Sequence, residues 1–349
     1  MAQVTLATIA DTLTTIFEDR IANQINRATV VMQLLPVGPG TGKNVQWSAR
    51  FGTGVGGTRA DGADLVPADF LNDSKVPANL DYGTYDSPFS ITGKAAAAAM
   101  AAGNPAELEN LFADELGDAV ERLAKGIQQD LYTGAGGTDE IFGLLAASGP
   151  LAATGTYAGI ARGTYPQWAS NILANGGTGR ALTFDLMREM RQAIYTASGA
   201  KPDLILCDPA IHRKYGSLFG DQRRYMQEVR LRGSVISLDG GYQVLELDGI
   251  PVVEDVDMPA GTMVFLNTRY CRIAQLPDPA NAVNQAYGTV DLAGTDEEQF
   301  GSGSTRLTAR VNPLARTGDA FKFQLISYPQ LQVRRPNAQG QIQDIDPTL

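Results

Sequence analysis

Apolar positions recur at helical spacing from the start of the chain. Leu6, Ile9, Leu13, Ile16, Phe17, Ile21 and Ile25 share a stripe, while Asp11, Glu18, Asp19 and Arg20 fall on other faces. This predicts an amphipathic helix within residues 1–35, packed either on its own body or on a neighbour, and ended by the breaker PVGPGTG (Pro36 to Gly42). The period then changes to two. Val45, Trp47, Ala49 and Phe51 alternate with Asn44, Gln46, Ser48 and Arg50, and a second strand-like piece runs through Tyr82, Tyr85, Phe89 and Ile91. Between them lies GTGVGGTRADGADLVPADFLNDSKVP, rich in Gly, Asp and Pro. Residues 43–93 therefore read as an extended β-hairpin, a finger with too few apolar side chains for a core of its own. An isolated two-stranded hairpin is marginal in water, so the finger lies either on its own body or on another molecule.

The clearest helix begins at Asn104-Pro105-Ala106-Glu107, a cap followed by a first-turn proline, and carries Leu108, Phe112, Leu116, Val120, Leu123, Ile127 and Leu131 on one stripe. It is a strut about 40 Å long, expected to stop at a left-handed Gly134. A shorter helix starts at Thr183 or Asp185 and stops at Gly199. A buried strand, Leu204 to Cys207, and a helix opened by Asp208-Pro209 follow. Strands at Tyr242–Leu247 and Ile250–Val253 meet through Asp248-Gly249, a hairpin signal. Further strands are expected at Met263–Leu266 and Tyr270–Leu276, with loop over 277–304. A long final strand is expected from Phe321 past Tyr328-Pro329 to Val333. The fold class is α+β.

Composition narrows the function. The 349 residues are 44% hydrophobic and 19% charged, enough to bury a large core. A net charge of -10 disfavours a protein whose task is to grip phosphate backbones. Two cysteines and one histidine exclude a disulfide scaffold, a four-thiolate zinc site and any site built on several histidines. No apolar run approaches the roughly 20 residues of a membrane span, and the acidic N-terminal region does not read as a secretory signal.

Candidate chemistry is sparse. Gly52-Thr-Gly54-Val-Gly56-Gly57 matches a dinucleotide fingerprint, but no helical pattern follows to aim amides at a pyrophosphate. Gly40-Thr-Gly42-Lys43 lacks the rest of a phosphate loop. His212 has no acid or nucleophile partner in its motif, and Cys207 and Cys271 sit in apolar strands. Glu254, Asp255 and Asp257 cluster after a strand but fit no calcium-loop spacing. We therefore expect no catalytic, cofactor or metal site; a carboxylate-based hydrolase is the enzyme reading that competes. Arg223, Arg224, Arg230 and Arg232 (QRRYMQEVRLRG) form a local basic patch, either a solvated loop or an ion-pairing contact with an acidic neighbour.

The order of these parts, with the stretches LAKGIQQDLYTGAGGTDEIFGLL, GIARGTYPQWASNIL, MREMRQAIYTASGAKPDLILCDPAIHRKYGSLF and LDGIPVVEDVDMPAGTMVFLN, resembles the major capsid protein of tailed bacteriophages, the Hong Kong ninety-seven type fold. The resemblance implies an N-terminal arm (1–42), an extended loop (43–93), a peripheral domain (94–180, with the spine helix at 105–133) and an axial domain (181–304). Residues 305–349 would be the closing strand of the peripheral domain and a tail. It further implies a non-enzymatic shell subunit without cofactors, built with copies of itself into pentameric and hexameric capsomers. A separate scaffolding protein, a portal and decoration proteins would be its partners. Double-stranded DNA would be packaged without sequence-specific contacts, and assembly would occur in the host cytoplasm with no membrane involved. Val45, Trp47, Phe51, Phe70, Tyr82, Tyr85 and Phe89 on the loop, with the four arginines, are then the expected contacts between copies. Some relatives crosslink this loop through lysine; Lys43 and Lys75 match no such motif, and the crosslink is not carried over. An encapsulin-like nanocompartment shell, holding an enzyme as cargo, is the alternative within the same fold.

Overall fold

A computed structural model of the chain describes residues 30–51, 61, 75–101, 105–137, 139–218, 228–231, 234–237, 245–276, 289–291, 307–315 and 318–349. Its organising element is a six-stranded mixed sheet. In order across the sheet its strands are Leu245–Leu247, Ile250–Glu254, Leu204–Cys207, Met263–Leu266, Gly340–Ile342 and Asn171–Leu173. Every residue of Leu204–Cys207 and of Met263–Leu266 is buried, because both faces of this sheet are covered. The alternation of the strands divides them between two cores. Leu204, Leu206, Val264 and Leu266 face the large core that also holds Leu123, Ile127 and Leu131 of the long helix Pro105–Thr133. Ile205, Cys207, Met263 and Phe265 face the second core, beneath the helices Phe184–Ser198 and Pro209–Leu218.

Local signals explain the boundaries. Thr183 Oγ1 accepts from the Leu186 N–H at 3.2 Å and Gly199 ends that helix at φ 69°. Asp248 and Gly249 turn the expected hairpin with φ 50° and 82°. The strut ends at Thr133 as read from sequence, but for a different reason. Gly134 is not left-handed: it donates to the Asp130 carbonyl at 2.9 Å, and a Cβ there would strike the Ile141 carbonyl. Close approach of the returning chain, not turn geometry, requires glycine.

A four-stranded antiparallel sheet lies on the strut, ordered Thr289–Asp291, Thr308–Leu314, Ala320–Ser327 and Tyr85–Thr92. Phe89, Phe112 and Phe323 cement it to the helix, with centroids 5.1 to 5.7 Å apart. The final strand, expected to run unbroken to Val333, is two. Ala320–Ser327 pairs with Tyr85–Thr92, whereas Pro329–Val333 crosses into a three-stranded sheet beside Cys271–Gln275 and Val37–Pro39. The chain changes sheets at Tyr328-Pro329.

Two further strand expectations are corrected, and the sheet order adds a third observation. Tyr85–Thr92 is not the returning arm of the finger; Lys75–Asp81 pairs with Asn44–Arg50 in that role. Residues 228–231, read as part of a basic loop, form a strand paired with Ser234–Ser237, following the alternation of Val229 and Leu231. Strands from residues 171–173 and 340–342 belong to the sheet of the 181–304 segment, so that sheet draws on chain from both sides of it.

Candidate assembly interface

The described part of the finger is its root, and the root is seated on its own chain. The inward residues Val45, Ala49, Ala78 and Leu80 are all buried in the large core. The Asn79 N–H donates to the Ala158 carbonyl at 2.9 Å, tying the outer side of the returning strand to the body. Trp47 leans on Tyr157 at 6.4 Å, and Phe51 stacks on Tyr165 at 4.4 Å and lies nearly perpendicular to Trp168 at 5.7 Å. The support expected from sister molecules is, at the root, supplied by the same chain.

Several of the expected contact residues pack within the subunit. Val45, Tyr82 and Phe89 are buried within the subunit. Tyr82 packs its hydroxyl where a side chain on Gly40 would stand. Tyr85 donates from its hydroxyl to Asp130 at 2.7 Å and accepts from the Ile141 N–H at 3.1 Å, joining sheet to strut. Trp47 and Phe51 are half-buried against the body. Phe70, Arg223, Arg224 and Arg232 lie outside the described residues, and of Arg230 the structure gives the backbone pairing with Val235. An alternating strand buries one face on something, and sequence does not say whose surface it is.

The seat itself was missed. Residues 144–168 fold around Arg162, which is buried and donates to the carbonyls of Ser148, Gly149, Thr154 and Trp168 at 2.6 to 3.3 Å. Tyr157 lies under its guanidinium at 5.8 Å, and Trp168 Nε1 donates to the Tyr157 carbonyl at 3.2 Å. Burial pushes the Arg162 pKa down and the Tyr157 pKa up. The signal in sequence was the lone arginine among small and aromatic residues in GIARGTYPQW.

Asp255, His212 and the two cysteines are seated within the fold. Asp255 is buried and accepts from Gln128 Nε2 at 2.6 Å, from the Tyr132 hydroxyl at 2.7 Å and from the Asp257 N–H at 3.0 Å. It bolts the strut to the end of the six-stranded sheet, and burial raises its pKa against the lowering effect of those donors. His212 Nδ1 lies 3.3 Å from Glu254. Both cysteines are buried and free, and burial holds the Cys207 thiol well above its ordinary range. Among the described residues no group of three His, Cys, Asp or Glu side chains is placed to hold a metal ion, and no helix is long and apolar enough to cross a membrane.

A long strut gripped between an antiparallel sheet and a two-faced mixed sheet, with a finger rooted beside it, defines a shell protein of the Hong Kong ninety-seven type. The architecture matches the cyanophage A-1(L) capsid asymmetric unit with a TM-score of 0.73 and 26% identity, over 98% of this chain and 99% of that one. The SrpI encapsulin of Synechococcus elongatus PCC 7942 shares the fold at 12% identity and a TM-score of 0.58, over 100% of this chain and 98% of that one. The capsid of the native GTA particle does so at 13% and 0.57, over 98% of each chain. A profile of the SU10 major capsid protein family matches residues 83–346. The chain belongs to the SU10 major capsid protein family and is a structural subunit of a phage shell, assembled from copies of itself. No curated protein matches the sequence.

Proposed function

We propose that this subunit forms the closed icosahedral head of a tailed double-stranded DNA phage, through pentameric and hexameric capsomers. Its finger beyond the seated root and its N-terminal arm carry contacts to neighbouring copies. A separate scaffolding protein and a portal direct closure, decoration proteins bind the finished shell, and assembly takes place in the host cytoplasm. The observation that carries this reading is the end-to-end correspondence with a phage capsid subunit, at an identity above that of the encapsulin. Physical chemistry is consistent with it. A shell needs one set of surfaces reused many times, and a chain of net charge -10 leaves packaged DNA free of a strong grip on the wall.

The test is expression of the chain with and without a co-expressed scaffold, followed by velocity sedimentation and nucleic-acid assay of any fast fraction. Large closed particles that hold DNA when formed in infected cells support the reading. Only small species under every condition would refute it, and particles filled with an enzyme would favour the nanocompartment.

A further inference from the structure

Asparagine followed by glycine occurs once in the sequence, at Asn175-Gly176, just past the edge strand Asn171–Leu173 of the six-stranded sheet. The stretch from Asn175 to Thr178 is a tight turn, closed by the Thr178 N–H donating to the Asn175 carbonyl at 3.2 Å, with Gly176 and Gly177 left-handed at φ 64° and 79°. All of it is exposed. The C-terminal segment clasps this turn. Asp344 accepts on Oδ2 from the Asn175 N–H at 2.8 Å and from the Gly177 N–H at 3.0 Å. Those two donors hold the Asp344 carboxyl below the usual carboxylate range. The Gly176 N–H between them has no hydrogen-bond partner among the described residues. The Asn175 side chain is held by one bond, from Nδ2 to the Thr178 carbonyl at 2.8 Å.

We propose that Asn175 is a site of spontaneous deamidation and that the product releases the clasp of Asp344 on the turn. The Gly176 amide nitrogen attacks Asn175 Cγ, so an N–Cγ bond forms, the Cγ–Nδ2 bond breaks, and ammonia leaves with the Gly176 amide proton. Water then opens the five-membered imide at one carbonyl or the other, leaving aspartate or isoaspartate at position 175. Glycine has no Cβ to shield the attacking nitrogen, its N–H gives up no hydrogen bond to react, and exposure admits the water. The turn at Asp248-Gly249 offers the same ring, but its carboxylate is held by Arg191 and, at 3.7 Å, by Arg188, and an ionised carboxylate resists a nucleophile. Either product puts a second carboxylate beside that of Asp344, where like charges repel. Isoaspartate also adds a backbone methylene between Leu173 and Arg180. The Arg180 N–H donates to the Asp344 carbonyl at 2.8 Å, and its carbonyl accepts from the Asp346 N–H at 2.9 Å, so the change reaches the last residues of the chain.

The test ages the full-length chain in mildly alkaline buffer, then digests it for mass spectrometry. The peptide holding Asn175 should gain about 1 Da and become a substrate for an isoaspartyl methyltransferase, at least about tenfold faster than asparagines in the chain's other peptides. Hydrogen exchange over residues 343–349 should rise in the aged wild type relative to fresh protein. It should not rise in aged Asn175→Gln, whose longer side chain closes a six-membered ring far more slowly. An Asn175 that survives as well as the other asparagines overturns the proposal. So does deamidation that leaves exchange over 343–349 unchanged, and so does an equal rise in the aged glutamine variant.

Discussion

Arg162 and Asp255 are buried ionisable residues whose hydrogen bonds, among the described residues, go to neutral partners: carbonyl oxygens for the arginine, and an amide, a hydroxyl and a backbone N–H for the aspartate. Removing such a group strands its partners, each at about 1–3 kcal/mol. Arg162→Met should therefore destabilise the subunit by about 3 kcal/mol or more in denaturant unfolding, and a loss below about 1 kcal/mol would show that water replaces the guanidinium. For Asp255 the consequence depends on pH. Its folded pKa lies above that of the unfolded chain, so the folded state holds the proton more tightly. Its contribution to stability is therefore largest in acid and falls as pH rises from about 3.9 through the folded value, levelling off beyond. The measurement is unfolding free energy against pH for wild type and Asp255→Asn. The wild type should lose stability relative to the variant across that window, and parallel curves would contradict the assignment.

At the scale of elements, glycine positions separate packing from surface. A Cβ at Gly143 would stand 2.6 Å from both the Asp130 carbonyl oxygen and the Gly134 nitrogen, backbone atoms that cannot swing aside. Gly143→Ala should cost about 3 kcal/mol by equilibrium unfolding and loosen the turn behind the strut. Gly117, in the middle of the strut, faces open space. Gly117→Ala should stabilise the free subunit by about 0.5–1 kcal/mol, read as a higher denaturation midpoint. The same contrast shows what sequence could reveal. Helix Pro105–Thr133 and the turn at Asp248-Gly249 were legible because capping residues, heptad-like spacing and a two-residue turn are local. Strands Asn171–Leu173 and Gly340–Ile342 were not, since three residues carry no period and their pairing spans much of the chain. The finger was half legible. Its departing strand alternates cleanly, but Tyr85–Thr92 alternates as well, and only the partner Ala320–Ser327 reveals which sheet it joins. Arg162 left almost no trace, because its role depends on carbonyls brought together by the fold.

At the scale of the molecule, two cores share the six-stranded sheet as a wall, and the strut is bolted to it through Asp255. The root of the finger, through Trp47 and Phe51, rests on a seat of Tyr157, Tyr165 and Trp168 in its own chain, so the root is held before any neighbour arrives. Preorganisation of that kind lowers the ordering cost of association. The most direct measurement is a density map of the particles this chain forms, at a resolution that traces the backbone. The account predicts a closed lattice of identical subunits, each with its finger root on its own Tyr157–Trp168 seat and the stretch beyond Phe51 crossing onto a neighbour. A map in which that stretch returns wholly to its own subunit, or a preparation that yields no closed lattice at all, would contradict it.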